Sequence, residues 1–250
     1  RDAQESRGLG DVYKRQILGD FMKKKFLEQS SKYVPYILLT GLALLFVITR
    51  FWRITTLPSG VHIDEAGMAY DAWCLSQYGV DRYFKSYPLL LTNFGGGGQS
   101  ALCIYTTALL FRLFGFHSFL FRVTNIFYSL LTVVFGMLIL RRLYPDRPYL
   151  AIAGGYLMTI LPFFILSARL GMDCHPILGT STVFIYCFLC ALQSEKYRYY
   201  VLAGITGGIV LYTYSLSYLI LPSFLVLSFF YSLVVKKFSF KKLSLIHISE

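Results

Sequence analysis

Asp64 and Glu65 are adjacent carboxylates in a chain with only 13 Asp and Glu among 250 residues. They lie in Pro58-Ser-Gly-Val-His62-Ile-Asp64-Glu65-Ala-Gly, just after the first long apolar run. Ala66, Ala69, Ala72 and Trp73 follow near helical spacing, so the pair is predicted to open a helix over 64–78. Neighbouring side chains on a helix point about 100° apart, so these two cannot readily share a proton face to face. One can address a reacting hydroxyl while the other orients a partner or binds a cation. A partly desolvated carboxylate gains proton affinity and can act as a general base. The competing reading is structural: Asp64 caps the helix and Glu65 sits in its first turn. The pattern alone leaves both open. His62, Asp81 and Arg82 are weaker candidates for contact with a substrate in the same loop.

The elements that must hold this pair are apolar. The chain is 56% hydrophobic and 15% charged, with a mean hydropathy of +0.55. That balance excludes an ordinary soluble domain and predicts an all-α, polytopic membrane protein. The net charge of +11 collects in short gaps between apolar runs. It reads as an orientation signal rather than a nucleic-acid footprint, so the expected partner is the lipid bilayer and no nucleic acid. Cys187 and Cys190 fall inside an apolar run, where the spacing reflects packing, and nothing in the sequence pairs Cys74 with Cys103.

Residues 1–16 and 244–250 differ in composition from what they flank and read as foreign tails. Met22 then becomes the start of a membrane domain over 22–242, with Lys23, Lys24 and Lys25 on the cytoplasmic side and further sequence expected beyond its end. Six spans are expected: 34–50, 123–140, 150–167, 177–192, 200–214 and 218–235. Residues 55–118 form a large first external loop. Within it, 100–114 is too short to span and is expected to lie at the interface, in a juxtamembrane helix. That assignment puts the basic gaps at Arg141, Arg142 and Arg147, at Lys196 and Arg198, and at Lys236 to Lys242 on one side of the membrane. Gly95 to Gly98 lack the Lys-Ser/Thr of a phosphate-binding loop and read as a hinge.

The order of these features resembles a known family. Asp64-Glu65-Ala in the first external loop is followed by Tyr78-Gly-Val-Asp81, a glycine-rich stretch, and Leu113-Phe114-Gly115-Phe116. Then come Arg122 heading a span, a basic turn at Arg141-Arg142, and Ser167-Ala-Arg169-Leu-Gly171. This looks like the bacterial, family 39-like branch of the dolichyl-phosphate-mannose protein mannosyltransferases, membrane glycosyltransferases of the GT-C type. The resemblance covers about residues 35–192. It implies an inverting transfer of a sugar from a polyprenyl-phosphate donor to an acceptor hydroxyl at the non-cytoplasmic face of the cell membrane. It implies that Asp64 is the base, that Glu65 orders the site, and that Arg122 and Arg169 neutralise the departing lipid phosphate. The acceptor, whether glycan, lipid or protein, is not indicated. The His-Pro-Pro element of the eukaryotic members is missing; only Tyr87-Pro88 stands in this loop, which argues against a protein acceptor. No cofactor is required. A divalent cation is compatible with the acidic pair, but His62 and His175 do not make a metal site. Asp173 and His175 receive no role. The alternative function is a transporter or flippase of lipid-linked glycans, whose expected mark would be inverted repeats; none is evident.

Overall fold

The computed structural model describes residues 33–194 and 196–234. The expected tails, the lysines at 23–25 and the basic gap at 236–242 lie outside the described residues. The described chain is helical apart from one small hairpin. Helix α1 (Tyr33–Phe51) leads into an irregular loop. Then come α2 (Ile63–Tyr78), the hairpin strands β1 (Leu91–Thr92) and β2 (Gly98–Gln99), and α3 (Ala101–Phe114). The remaining helices are α4 (Ser118–Leu143), α5 (Pro148–Ile160), α6 (Pro162–Arg169), α7 (Pro176–Gln193), α8 (Tyr197–Leu211) and α9 (Ser217–Val234).

Three described helices are long and apolar enough to cross a membrane: α1, α4 and α7. The α5–α6 pair makes a fourth if its two halves count as one span. These coincide with four of the six expected spans. The last two expected spans fall on α8 and α9. Helix α8 has 15 residues, about 22 Å at 1.5 Å per residue, short of a hydrocarbon core of about 30 Å. Helix α9 carries Pro222 in its interior. Helix α3 has 14 residues, also too short to span.

The α5–α6 span is bent by 60°. Pro162 explains the break: it has no N–H to give to the carbonyl of Met158, four residues back. Arg50, fully buried on α1, supplies the missing donors. Its guanidinium donates to the carbonyls of Met158 (3.1 Å), Thr159 and Phe164 (3.4 Å). A charge that would be costly in lipid is thereby used on backbone groups that the break exposes.

Helix α4 is the central post, packing against α3, α5, α6 and α7. Gly179 lets α7 approach the α4 backbone, because a Cβ there would collide with the carbonyl of Tyr128. The outer layer of α2 and α3 has its own apolar core of Met68, Ala72, Leu75, Ile104 and Phe111, joined to α4 through Phe121. The carboxyl ends of α4 and α7 meet where Arg142 Nε donates to Gln193 Oε1. The basic turns after α4 and α7 therefore share one end of the molecule, and the start of α2 lies at the other.

Candidate active site

His62, not Asp64, caps α2. Its Nδ1 accepts the Asp64 N–H at 3.2 Å, and Glu65 Oε2 accepts the His62 N–H at 3.0 Å, a reciprocal capping box. Because His62 Nδ1 accepts there, it cannot also donate to Asp64 Oδ2, 3.4 Å away. His62 therefore serves the helix, although its ring is half exposed.

The cap turns Glu65 inward, with only 1% of its side chain exposed. Oε1 accepts the N–H of Gly171, and Oε2 lies 3.4 Å from Arg122 Nη2. Arg122 donates further to the carbonyls of Ile54 (2.9 Å), Pro58 (3.2 Å) and Gly60 (2.7 Å). Arg169 donates to the carbonyls of Thr49 (2.9 Å), Trp52 (2.6 Å) and Leu57 (2.8 Å). The loop after α1 has no ladder to satisfy its carbonyls, so two guanidinium forks do so. Arg122 and Arg169, expected to neutralise a departing lipid phosphate, are both buried, and their partners here are mainly backbone carbonyls.

Arg82 and Asp81, the weaker candidates for substrate contact, are also held within the fold. Arg82 is buried against Asp71, with Nε 3.0 and 2.9 Å from the two carboxylate oxygens, and its Nη2 donates to the carbonyl of Gly67 at 2.7 Å. Asp81 is buried and its Oδ1 accepts the N–H groups of Tyr83 (2.9 Å) and Lys85 (2.8 Å), closing the turn after α2. Asp81 Oδ2 and Arg82 Nη1 are left buried without a hydrogen-bond partner. Asp71, the partner that fixes Arg82, has no motif around it that marks it in the sequence.

Asp64 remains open. Its side chain is 30% exposed, and its side-chain donor is Asn93 Nδ2, 3.2 Å from Oδ1. Asp173 lies nearby on the turn between α6 and α7, where its Oδ2 accepts the Ser100 N–H at 3.3 Å. Burial pushes the Asp173 carboxyl above the usual range, the Ser100 hydrogen bond opposes that shift, and the charge of Asp64 adds to it. Asn125 on α4 holds this turn, its Nδ2 donating to the carbonyls of Leu170 (2.6 Å) and Met172 (2.9 Å). Burial lowers the proton affinity of His175 at the same turn.

The result is an acidic mouth formed by Asp64 and Asp173, framed by Asn93, above a cradle in which every cation is engaged. Such a mouth can take a proton from a hydroxyl. Asn93, Asp173 and Asn125 were not placed in the site by sequence reasoning. Their nearest signal was a polar residue inside or beside an apolar run, which does not show what it will face. Among the described residues, no group of three or more His, Cys, Asp or Glu is arranged to hold a metal ion.

A family model described as dolichyl-phosphate-mannose-protein mannosyltransferase matches residues 99–248, more than half of the chain. The chain belongs to that family. The match takes in α3 to α9 and the Asp173 turn, begins at the end of β2, after Asp64 and α2, and ends within the stretch 244–250. No curated protein and no solved structure matches the chain.

Proposed function

We propose that this member of the mannosyltransferase family moves a hexose from a polyprenyl-phosphate donor to an acceptor hydroxyl, with Asp64 as general base. The observation that carries this reading is the contrast at the start of α2. Glu65 and both nearby arginines are used by the protein itself, whereas Asp64 is accessible and held by one neutral amide. In the reaction, Asp64 takes the acceptor proton as the acceptor oxygen bonds to the anomeric carbon. The bond from that carbon to the phosphate oxygen breaks, its electron pair leaves with the lipid phosphate, and the anomeric centre inverts. Asp173, whose carboxyl is raised by burial, stands near Asp64 and is ready to bond a sugar hydroxyl.

The polarity of the helices supports an external site. Arg141 and Arg142 end α4, and Lys196 and Arg198 follow α7, at the end opposite the mouth. By the positive-inside rule that end faces the cytoplasm, leaving Asp64 on the other side of a multi-pass protein in the cell membrane.

The test uses membranes containing wild type or Asp64→Asn, supplied with radiolabelled polyprenyl-phosphate mannose. Label should leave the donor in wild type and fall by about 10²–10⁴-fold in the variant, the usual scale for a positioned base. Equal consumption by both proteins would remove Asp64 from the role. Movement of intact donor across the bilayer, with no covalent transfer, would favour a flippase instead.

A further inference from the structure

The β1–β2 hairpin is tied to Asp64 through Asn93. The Asn93 N–H donates to the carbonyl of Gly97 at 2.7 Å, its Oδ1 accepts the Phe94 N–H at 2.7 Å, and its Nδ2 reaches Asp64. The tip of the hairpin is four consecutive glycines. Gly96 has φ +80°, a left-handed conformation that favours glycine. Gly95, Gly97 and Gly98 have no such constraint, and a Cβ at any of them would meet nothing within 4 Å. Neither the backbone nor the packing of this fold requires glycine at those three positions. Each nevertheless lowers stability relative to alanine, through the freedom it gives the unfolded chain. What a bare backbone provides is close approach to something that is not part of the fold.

Phe94 suggests what approaches. Its ring packs on Gly67 of α2, where a Cβ would collide with it, and the Arg82 guanidinium lies 4.2 Å from its centroid. Phe94 is nevertheless 60% exposed. A fixed aromatic ring, a carboxylate, an amide and unencumbered peptide groups thus occur side by side. Together they match a pyranose: the C–H face of the sugar stacks on the ring and its hydroxyls bond to carboxylate, amide and peptide groups.

We propose that the hairpin tip, from Asn93 to Gly98, is a sugar-binding arm that lays its side-chain-free backbone against a pyranose held on Phe94 beside Asp64. This rests on the transferase reading above. The pyranose is either the donor hexose or a sugar of a glycan acceptor, and the chemistry is common to both.

The test compares the full chain in lipid nanodiscs as wild type, as the double variant Gly97→Ala/Gly98→Ala, and as Gly208→Ala, an equally open glycine on α8. Melting temperature, affinity for polyprenyl-phosphate mannose and for bare polyprenyl phosphate, and transfer are measured on each. The double variant should melt at or above the wild-type temperature, and Gly208→Ala should bind and transfer as wild type does. If the arm holds the donor hexose, the double variant loses about tenfold in affinity for the mannose-bearing lipid alone, the scale of one intruding methyl group. If it holds an acceptor sugar, both lipids bind unchanged and transfer falls. Unchanged lipid binding with unchanged transfer would overturn the proposal, as would a lower melting temperature. Phe94→Leu should repeat the binding or transfer defect. A wild type that prefers the mannose-bearing lipid but transfers nothing would refute the transferase reading alone. In that case the arm stands or falls on whether the double variant erases that preference.

Discussion

Glu65 and Asp64 are one residue apart and belong to different parts of the molecule. Glu65 enters a cradle in which Gly171, Arg122 and the capping box use its oxygens and almost no surface is left. Asp64 stays at the mouth with one amide donor on its side chain. A buried, fully partnered carboxylate fixes structure. A partly exposed one stays within reach of a substrate. The difference comes from the helix: a rotation of about 100° between neighbours turns one inward once His62 has set the cap.

The strongest test of that contrast exchanges the two losses. Asp64→Asn should remove transfer by about 10²–10⁴-fold and change stability only within about 0.5 kcal/mol, because the side chain is partly exposed and an amide can keep the contact with Asn93. Glu65→Ala should do the reverse first. It leaves Arg122 buried without its counter-charge and should destabilise the fold by about 3–5 kcal/mol, measured as a lower melting temperature in detergent. If Glu65→Ala folded as well as wild type, the cradle would lose its structural meaning.

Arg122→Lys sharpens the same point at a smaller scale. Lysine keeps the charge but cannot fork to three carbonyls; a loss of about 1–3 kcal/mol is expected from the acceptors left unpaired. Affinity for bare polyprenyl phosphate should be unchanged in the fraction that remains folded. A selective loss of that affinity would return Arg122 to the donor site.

The carboxyl of Asp173 titrates above the ordinary carboxylate range because it is buried. For an acid raised in this way the folded state holds the proton more tightly than the unfolded state. Its contribution to stability is therefore complete below the unfolded value and is lost as pH rises through the folded one. Asp173→Asn should flatten that part of the melting profile and leave the protein as stable as wild type or more so at neutral pH. A wild-type profile unchanged by the substitution would place Asp173 in water rather than at a buried mouth. The smallest effect belongs to His62→Ala, which removes the cap from α2 and should cost about 1 kcal/mol, whereas His62→Asn should recover most of it.

Much of the scaffold was legible because its signals are local. Apolar length marks α1, α4 and α7, and the shortness of 101–114 marks α3 as a helix that does not span. Pro162 lies within the third long apolar run, expected as the span 150–167, but the sequence alone does not show how far that span bends. What makes the bend tolerable is Arg50, more than a hundred residues earlier. The arginines are ambiguous for a similar reason. A guanidinium at the end of an apolar run suits a phosphate and a bare carbonyl equally well, and nothing local shows that the loop at 54–60 will leave its carbonyls unpaired.

By itself, the sequence determined that this chain is a helical membrane protein with an acidic pair just outside its first span. Apolar length and scarcity of charge are sums over neighbouring residues and need no fold to be read. Only the tertiary structure decided which acid stays open, which cations are already engaged, and that Asn93 and Asp173 stand at the mouth. Those outcomes depend on which donors reach which acceptors across the chain, as Gly171 reaches Glu65 from 106 residues away. Such pairings are settled by packing, after every local preference has been satisfied.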